Sequence, residues 1–311
     1  MKDPFKNARL GVELEGGVLD LRSAYEKWLI ENKSVTKDAA QNLASIIFPS
    51  NIVGFLNHGD VSINAVHDIF ENSRNIEDYL FLKEEVKLLS PIVNPPHLRD
   101  FISFEEHIKN SRKRRNLEIP PKWYEVPAYY KGGTSTIIGH DDDVKWPQYT
   151  EILDYELEFA CIIGKGGKNI SKENAEDHIF GYTILNDFSA RDIQMDEMSI
   201  GLGPAKGKDF ATSLGPAIVT KDEIKNPYNL SMKAYVNGEK WSDGSTSTMY
   251  RSFPELIEYV SQHETLLPGD ILGSGTVGLG CGLELGKSLK PNDVVVLEVE
   301  GIGQLRNKVI K

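Results

Sequence analysis

The sequence predicts an α+β fold rich in strands, with a small α+β unit at residues 1–94 and a larger β-rich domain at residues 95–311. Three observations carry this. Helical spacing is concentrated in roughly the first ninety residues, short strand-like runs dominate from Tyr124 onward, and the proline-punctuated stretch Leu88–Pro96 separates the two regions.

Residues Ala8–Leu21 alternate as a short hairpin, with Glu15-Gly-Gly as its turn. Helical patterns follow at Leu21–Asn32, at Thr36–Leu56 with a break at Phe48-Pro-Ser, and at Ser62–Glu71 with a weak extension toward Tyr79. Past the linker, Phe101, Phe104 and Ile108 fit one helix face within Phe101–Glu118, which Pro120-Pro121 stops. Strands are predicted at Ala128–Tyr130, Thr136–Ile138, Leu157–Ile163, Phe180–Asn186, Ala217–Thr220 and Leu230–Val236. Asn237-Gly238 then forms a two-residue turn into Glu239–Trp241. A helix at Ser252–Gln262 precedes strands at Ile271–Gly273 and Val294–Val299. The chain contains no repeats or low-complexity tracts.

The 311 residues are 40% hydrophobic and 26% charged, the balance of a soluble globular protein. A net charge of −11 argues against nucleic acid or an anionic membrane as partner, but not against a small anionic substrate held by a local cation. No apolar run approaches the length of a spanning helix, and the polar opening Met1–Asn7 is unlike a secretory signal. Cys161 lies in an apolar strand and Cys281 in a glycine-rich loop, so no disulfide framework is expected and a reducing cytoplasm is the default.

The chemistry concentrates in the centre of the chain. Glu156 and Glu158 lie two apart in a strand pattern, which puts both carboxylates on one face about 7 Å apart. Their mutual repulsion has to be offset, and a hard cation does so most directly. Asp187 ends an apolar strand where it can converge with them. Its alternative role is helix capping, and the alternative for the glutamates is a solvated strand face. No Cys or His flanks these acids, which favours Mg²⁺, Ca²⁺ or Mn²⁺ over zinc.

Arg191 and Gln194 share a helical face beside Asp187 and suit a substrate carboxylate or carbonyl; an intrahelical Asp187–Arg191 ion pair is the competing reading. Lys208, in a glycine-rich loop, suits an oxyanion or the acid cluster, against the commoner solvated lysine. His107, after Glu105 and Glu106, has the composition of a base poised near neutral pH. Gly273–Gly278 spells G-x-G-x-x-G but lacks a following helix, which excludes a dinucleotide fingerprint.

At these residues the chain resembles the fumarylacetoacetate hydrolase family, from roughly Pro95 to the C-terminus. The carriers are Asp154-Tyr-Glu-Leu-Glu-Phe-Ala, Phe180-Gly-Tyr-Thr-Ile-Leu-Asn-Asp-Phe-Ser-Ala-Arg-Asp-Ile-Gln, and Lys206-Gly-Lys-Asp-Phe-Ala-Thr. The resemblance implies a mixed β-roll or β-sandwich, usually a homodimer with the site beside the interface. It implies that Glu156, Glu158, Asp187 and Asp100 bind a divalent cation, Mg²⁺ first and Mn²⁺ or Ca²⁺ next. Arg191, Gln194, Thr212, Tyr130 and Thr276 would contact a small keto-acid substrate, with His107 as base and Lys208 beside the enolate.

The activity implied is hydrolysis of a carbon–carbon bond in a β-dicarbonyl acid by a water that His107 activates. A decarboxylase or isomerase of unsaturated 2-keto dicarboxylic acids is the alternative, and a decayed metal-binding protein the second. The chain departs from the family pattern at the partner of the histidine. Gly275–Gly282 holds no carboxylate and position 110 is Asn110, leaving Glu105 or Glu106 to stand in.

Overall fold

The computed structural model describes residues 8–72 and 76–311. The opening Met1–Asn7 and the Ser73–Asn75 part of the extension toward Tyr79 lie outside them. The chain divides into two compact units, Met1–Lys87 and Leu88–Lys311.

In the first unit, β1 (Gly11–Leu14) and β2 (Gly17–Asp20) form the expected hairpin, and β3 (Leu80–Phe81) adds to its edge. Four helices follow β2: α1 (Leu21–Lys33), α2 (Lys37–Ile47), α3 (Ile52–Asn57) and α4 (Asp60–Asn72). Asp20, Thr36 and Asn51 each accept a backbone N–H at a helix start. The break expected at Phe48-Pro-Ser divides α2 from α3, because Pro49 offers no N–H to continue the ladder.

The second unit is built on two sheets. Its elements are β4 (Leu98–Phe101), α5 (Glu105–Lys113), β5 (Tyr129–Gly132), β6 (Ile137–Ile138), β7 (Asp143–Lys145), β8 (Leu153–Asp154), β9 (Leu157–Ile163), β10 (Gly167–Lys168), β11 (Ile179–Asp187), β12 (Ser189–Ala190), α6 (Arg191–Ser199), β13 (Thr212–Thr220), β14 (Ser231–Val236), β15 (Glu239–Ser245), α7 (Phe253–Ser261), β16 (Thr265–Leu266), β17 (Ile271–Gly273), α8 (Gly282–Leu285), β18 (Val294–Val299) and β19 (Gly303–Ile310). A seven-stranded mixed sheet runs β5-β4-β17-β9-β11-β13-β6, and a five-stranded sheet runs β15-β14-β18-β19-β7. The β-rich α+β roll expected from the sequence is the fold observed.

Patterning explains the layers. Alternate residues of β14, β18 and β19 are buried, as in a sheet with one wet face. Every residue of β9 is buried because both of its faces are covered. One face of β9 (Leu157, Phe159, Cys161, Ile163) joins the main core with Met232, Ala234, Val295 and Leu297 of the second sheet. The other face is left for Glu158. At the centre, Phe159 stacks on Tyr182 at 5.1 Å and meets Phe253 at 5.6 Å.

Two expectations are corrected. The stretch expected as one helix from Phe101 is the end of β4 followed by the shorter α5, since Phe101 is drawn into the ladder with Tyr129 of β5. In addition, β19 is a strand that the sequence reading does not name: Arg306 and Lys308 face out while Leu305, Asn307 and Val309 point inward, and the polar Asn307 interrupts the apolar side of the alternation. Replacing Phe159 with Ala should cost about 3–5 kcal/mol, read from denaturant unfolding; a loss under about 1 kcal/mol would contradict this central role.

Candidate active site

The sheet face opposite the core collects the acids. Asp100 lies on β4, Glu158 on β9 and Asp187 at the end of β11, with Glu156 one residue before β9 begins. Their carboxylate oxygens come within 4.8 Å of one another, and all four residues are buried. Asp100 and Glu158 reach each other over β17, the strand between them, where the intervening residue is Gly273. A Cβ there would lie 2.4 Å from Asp100 Oδ1 and 3.2 Å from Glu158 Oε2, so only glycine leaves the carboxylates room to converge.

Two cations answer these acids. Lys208 Nζ donates to Glu156 Oε2 at 2.6 Å and to Asp187 Oδ2 at 2.5 Å. The Arg191 guanidinium reaches Glu156 Oε1 at 2.7 Å. Burial works to raise the Glu156 carboxyl, but Lys208 and Arg191 outweigh it and hold the group well below the usual carboxylate range.

Asp187 shares Lys208 with Glu156, whereas Asp100 and Glu158 form no ion pair among the described residues. Burial, followed by the charge of Asp187, pushes Asp100 up to about 8. Burial and then Asp100 push Glu158 well up, and burial raises Asp187 despite Lys208. Glu158 Oε2 and Asp187 Oδ1 are buried without a hydrogen-bond partner. Buried carboxylates in excess of their cations, two of them with an unpartnered oxygen, fit a hard divalent cation on chemical grounds.

Neighbouring side chains hold the set in place. The Tyr130 hydroxyl donates to Asp187 Oδ2 at 2.6 Å, and burial keeps that phenol protonated by pushing it well up. Thr276 Oγ1 donates to Glu158 Oε1 at 3.2 Å, and Thr212 pairs with Asp187 across the sheet. Arg191 makes no ion pair with Asp187. Its Nε and Nη2 grip Asp154 Oδ2 at 2.8 and 2.7 Å, while Nη1 donates to the Gln194 carbonyl at 2.9 Å.

Asp154, which the sequence shows only as one acid within a motif, ties the site together. Besides Arg191, it accepts the backbone N–H groups of Gly282 and Leu283, both at 2.8 Å, which open α8. Glu284 follows on that helix. Its Oε2 accepts from His107 Nδ1 at 2.8 Å, and its Oε1 accepts from Asn110 Nδ2 and Leu279 N, both at 3.0 Å.

This corrects the expected partner of His107, which is neither Glu105 nor Glu106. Successive helical residues point in different directions, so residues one and two before a histidine do not face it. Glu105 accepts from Tyr124 at 2.6 Å instead, and Glu106 packs against Gly278. The missing carboxylate lies two residues past the end of the glycine loop, a short step that reading the loop alone could not bridge. Asn110, at the position where the family resemblance implies a partner glutamate, steadies Glu284.

A buried, oxygen-only acid cluster with a histidine–carboxylate pair alongside has the donor set of a divalent-cation enzyme. Residues 97–310 match the family model described as fumarylacetoacetate (FAA) hydrolase C-terminal, and the chain belongs to that family. It is 34% identical over 300 residues to oxaloacetate tautomerase YisK of Bacillus subtilis (strain 168), covering 94% of this chain and 92% of the relative. It is 32% identical over 307 residues to the mitochondrial oxaloacetate tautomerase fahd2 of Xenopus laevis, covering 97% and 86%. Among solved structures, fumarylacetoacetate hydrolase from psychrophilic Exiguobacterium antarcticum is similar with a TM-score of 0.73 at 29% identity, covering 98% of this chain and 95% of that one.

Two outcomes follow from the charge balance and from the glycine. A carboxyl whose folded pKa is raised stabilises the fold below its unfolded pKa, and that stability is lost as pH rises through the folded value. Chelated protein should therefore lose melting temperature from about pH 5 to about pH 9, through the value of about 8 for Asp100. Divalent cation or Asp100→Asn should flatten the decline, and a chelated melting temperature that climbs over that window would refute the assignment. Gly273→Ala should weaken cation binding roughly tenfold, about 1.4 kcal/mol, by titration calorimetry; unchanged affinity would show that the carboxylates need no such clearance.

Proposed function

We infer that this chain is a divalent-cation-dependent enzyme that interconverts the keto and enol forms of an oxaloacetate-type 2-oxo dicarboxylate. The observation that carries this reading is the His107–Glu284 pair beside the acid cluster, because tautomerisation needs one base and one stabilised enolate. The substrate class is supported by the two full-length relatives, both named as oxaloacetate tautomerases.

Asp100, Glu156, Glu158 and Asp187 would hold the cation. The oxygen-only ligand set favours Mg²⁺, and Mn²⁺ or Ca²⁺ suits the same donors. When bound, the cation supplies Lewis-acid polarisation of the 2-oxo group. His107, with Nδ1 fixed on Glu284, would take the proton from C3 on Nε2 and deliver it to the 2-oxygen, and the reverse transfer carries enol back to keto. Glu284, itself held by Asn110 and Leu279, stabilises the imidazolium that forms.

Lys208 places a buried positive charge where the enolate develops, and Tyr130 remains a neutral donor beside it. Most of the Arg191 donors are taken by Asp154, Glu156 and Gln194, so its role is to orient Glu156 and Gln194. The Gln194 carbonyl points at Arg191, which leaves its amide N–H groups for the substrate carboxylate. Thr212 and Thr276 line the same face.

Carbon–carbon hydrolysis of an acylpyruvate is the second reading. The observation in its favour is again the dyad, which could equally deprotonate a water. The reading of a decayed site loses its ground, since Glu284 supplies the carboxylate that the loop lacks. A homodimer belongs to the same proposal. Met195 and Met198 in α6, with Ile200 and Leu202 just beyond its end, form an exposed apolar run next to the site that a second copy would cover.

The test follows enol oxaloacetate by ultraviolet absorbance, with pyruvate release and acylpyruvate cleavage measured in parallel. Enol decay should accelerate with Mg²⁺ while pyruvate release stays at background. Glu156→Ala combined with Glu158→Ala should abolish the acceleration, and His107→Ala should cost roughly 10²–10⁴-fold. Acylpyruvate cleavage without tautomerase activity would replace this reading with the second.

A further inference from the structure

We propose that His107, Cys281 and Glu284 form a second metal site, which takes Zn²⁺ and switches the base off. Ligand atoms of the three residues lie within 4.8 Å of one another. His107 Nδ1 is 2.8 Å and Cys281 Sγ 3.4 Å from the same oxygen, Glu284 Oε2. Zinc bonds of about 2.0–2.3 Å in a tetrahedron put ligand atoms roughly 3.3–3.8 Å apart, so small shifts suffice.

One imidazole, one thiol and one carboxylate form a zinc-type set, whereas the neighbouring oxygen-only cluster suits Mg²⁺ or Mn²⁺. The carboxylate is already oriented, since Glu284 Oε1 accepts from Asn110 and Leu279. The Glu284 side chain is fully buried and that of His107 is 10% exposed, which leaves the histidine as the open side of the trio. Cys161, in the β9 core, belongs to no such group among the described residues.

Binding accounts for every proton. The cation displaces the Cys281 thiol proton, which leaves to solvent. The imidazole proton moves from Nδ1 to Nε2 as Nδ1 takes the cation, and water fills the fourth position. Nε2 then carries a proton and accepts none. The switch rests on the proposed role of His107, whereas the binding does not.

Cobalt titration of the whole chain tests the binding. Wild-type protein should show the near-ultraviolet thiolate-to-Co²⁺ charge-transfer band, and Cys281→Ser, which keeps a donor toward Glu284, should lack it. In the enol assay with Mg²⁺, added Zn²⁺ should lower wild-type activity at least tenfold without relief by excess Mg²⁺, and should spare Cys281→Ser. Absence of the band in wild type overturns the site. Equal inhibition of both proteins, relieved by Mg²⁺, overturns the switch and assigns the effect to the acid cluster. A band without inhibition overturns the switch as well, and with it the assignment of His107 as base.

Discussion

Five carboxyl groups, Asp100, Asp154, Glu156, Glu158 and Asp187, are buried around two cations, Arg191 and Lys208. Charge of one sign in excess, away from water, costs several kcal/mol per unpaired ion. The chain meets that cost unevenly. Glu156 takes both cations and stays ionised, Asp154 takes Arg191 and backbone donors, and Asp100 and Glu158 are left to hold protons until something positive arrives. The other polar placements around the site make sense against this imbalance: Thr276 donates to Glu158, which has no cation, Tyr130 adds a second donor to Asp187 beside Lys208, and Gly273 leaves the gap across which two acids meet.

The proton carrier and the acid cluster are parts of one framework. Asp154 accepts from Arg191 on one side and from the start of α8 on the other, so the guanidinium that fixes Glu156 also fixes the short helix bearing Glu284. Four sequence-distant segments, the residues just before β9, α6, α8 and α5, are thereby held in register by a single carboxylate and its neighbours. Rigid mutual placement of this kind is what proton transfer beside a polarised carbonyl requires.

Much of this could be read from the sequence. The period-two spacing of Glu156 and Glu158 put them on one face, and the apolar run ending at Asp187 placed a third acid at a strand end; both depend only on local periodicity. The motif around Lys208 carried it as well. What could not be read were contacts that depend on tertiary pairing. Phe101 looked helical because its strand is short and gains its identity from pairing with distant strands. Glu284 lay just beyond a glycine loop whose turns set its direction. Asp154 appeared to be one more acid in an acidic motif, since nothing local shows that a carboxylate will accept five hydrogen bonds.

Lys208 has a consequence of its own. Its ammonium rests on oxygens of Glu156 and Asp187, the same two residues that a divalent ion would claim. The side chain is thus a tethered placeholder, already installed at an effective concentration that no free ion matches. Uptake of a cation is then an exchange rather than a simple filling, and its strength is a difference between two occupants.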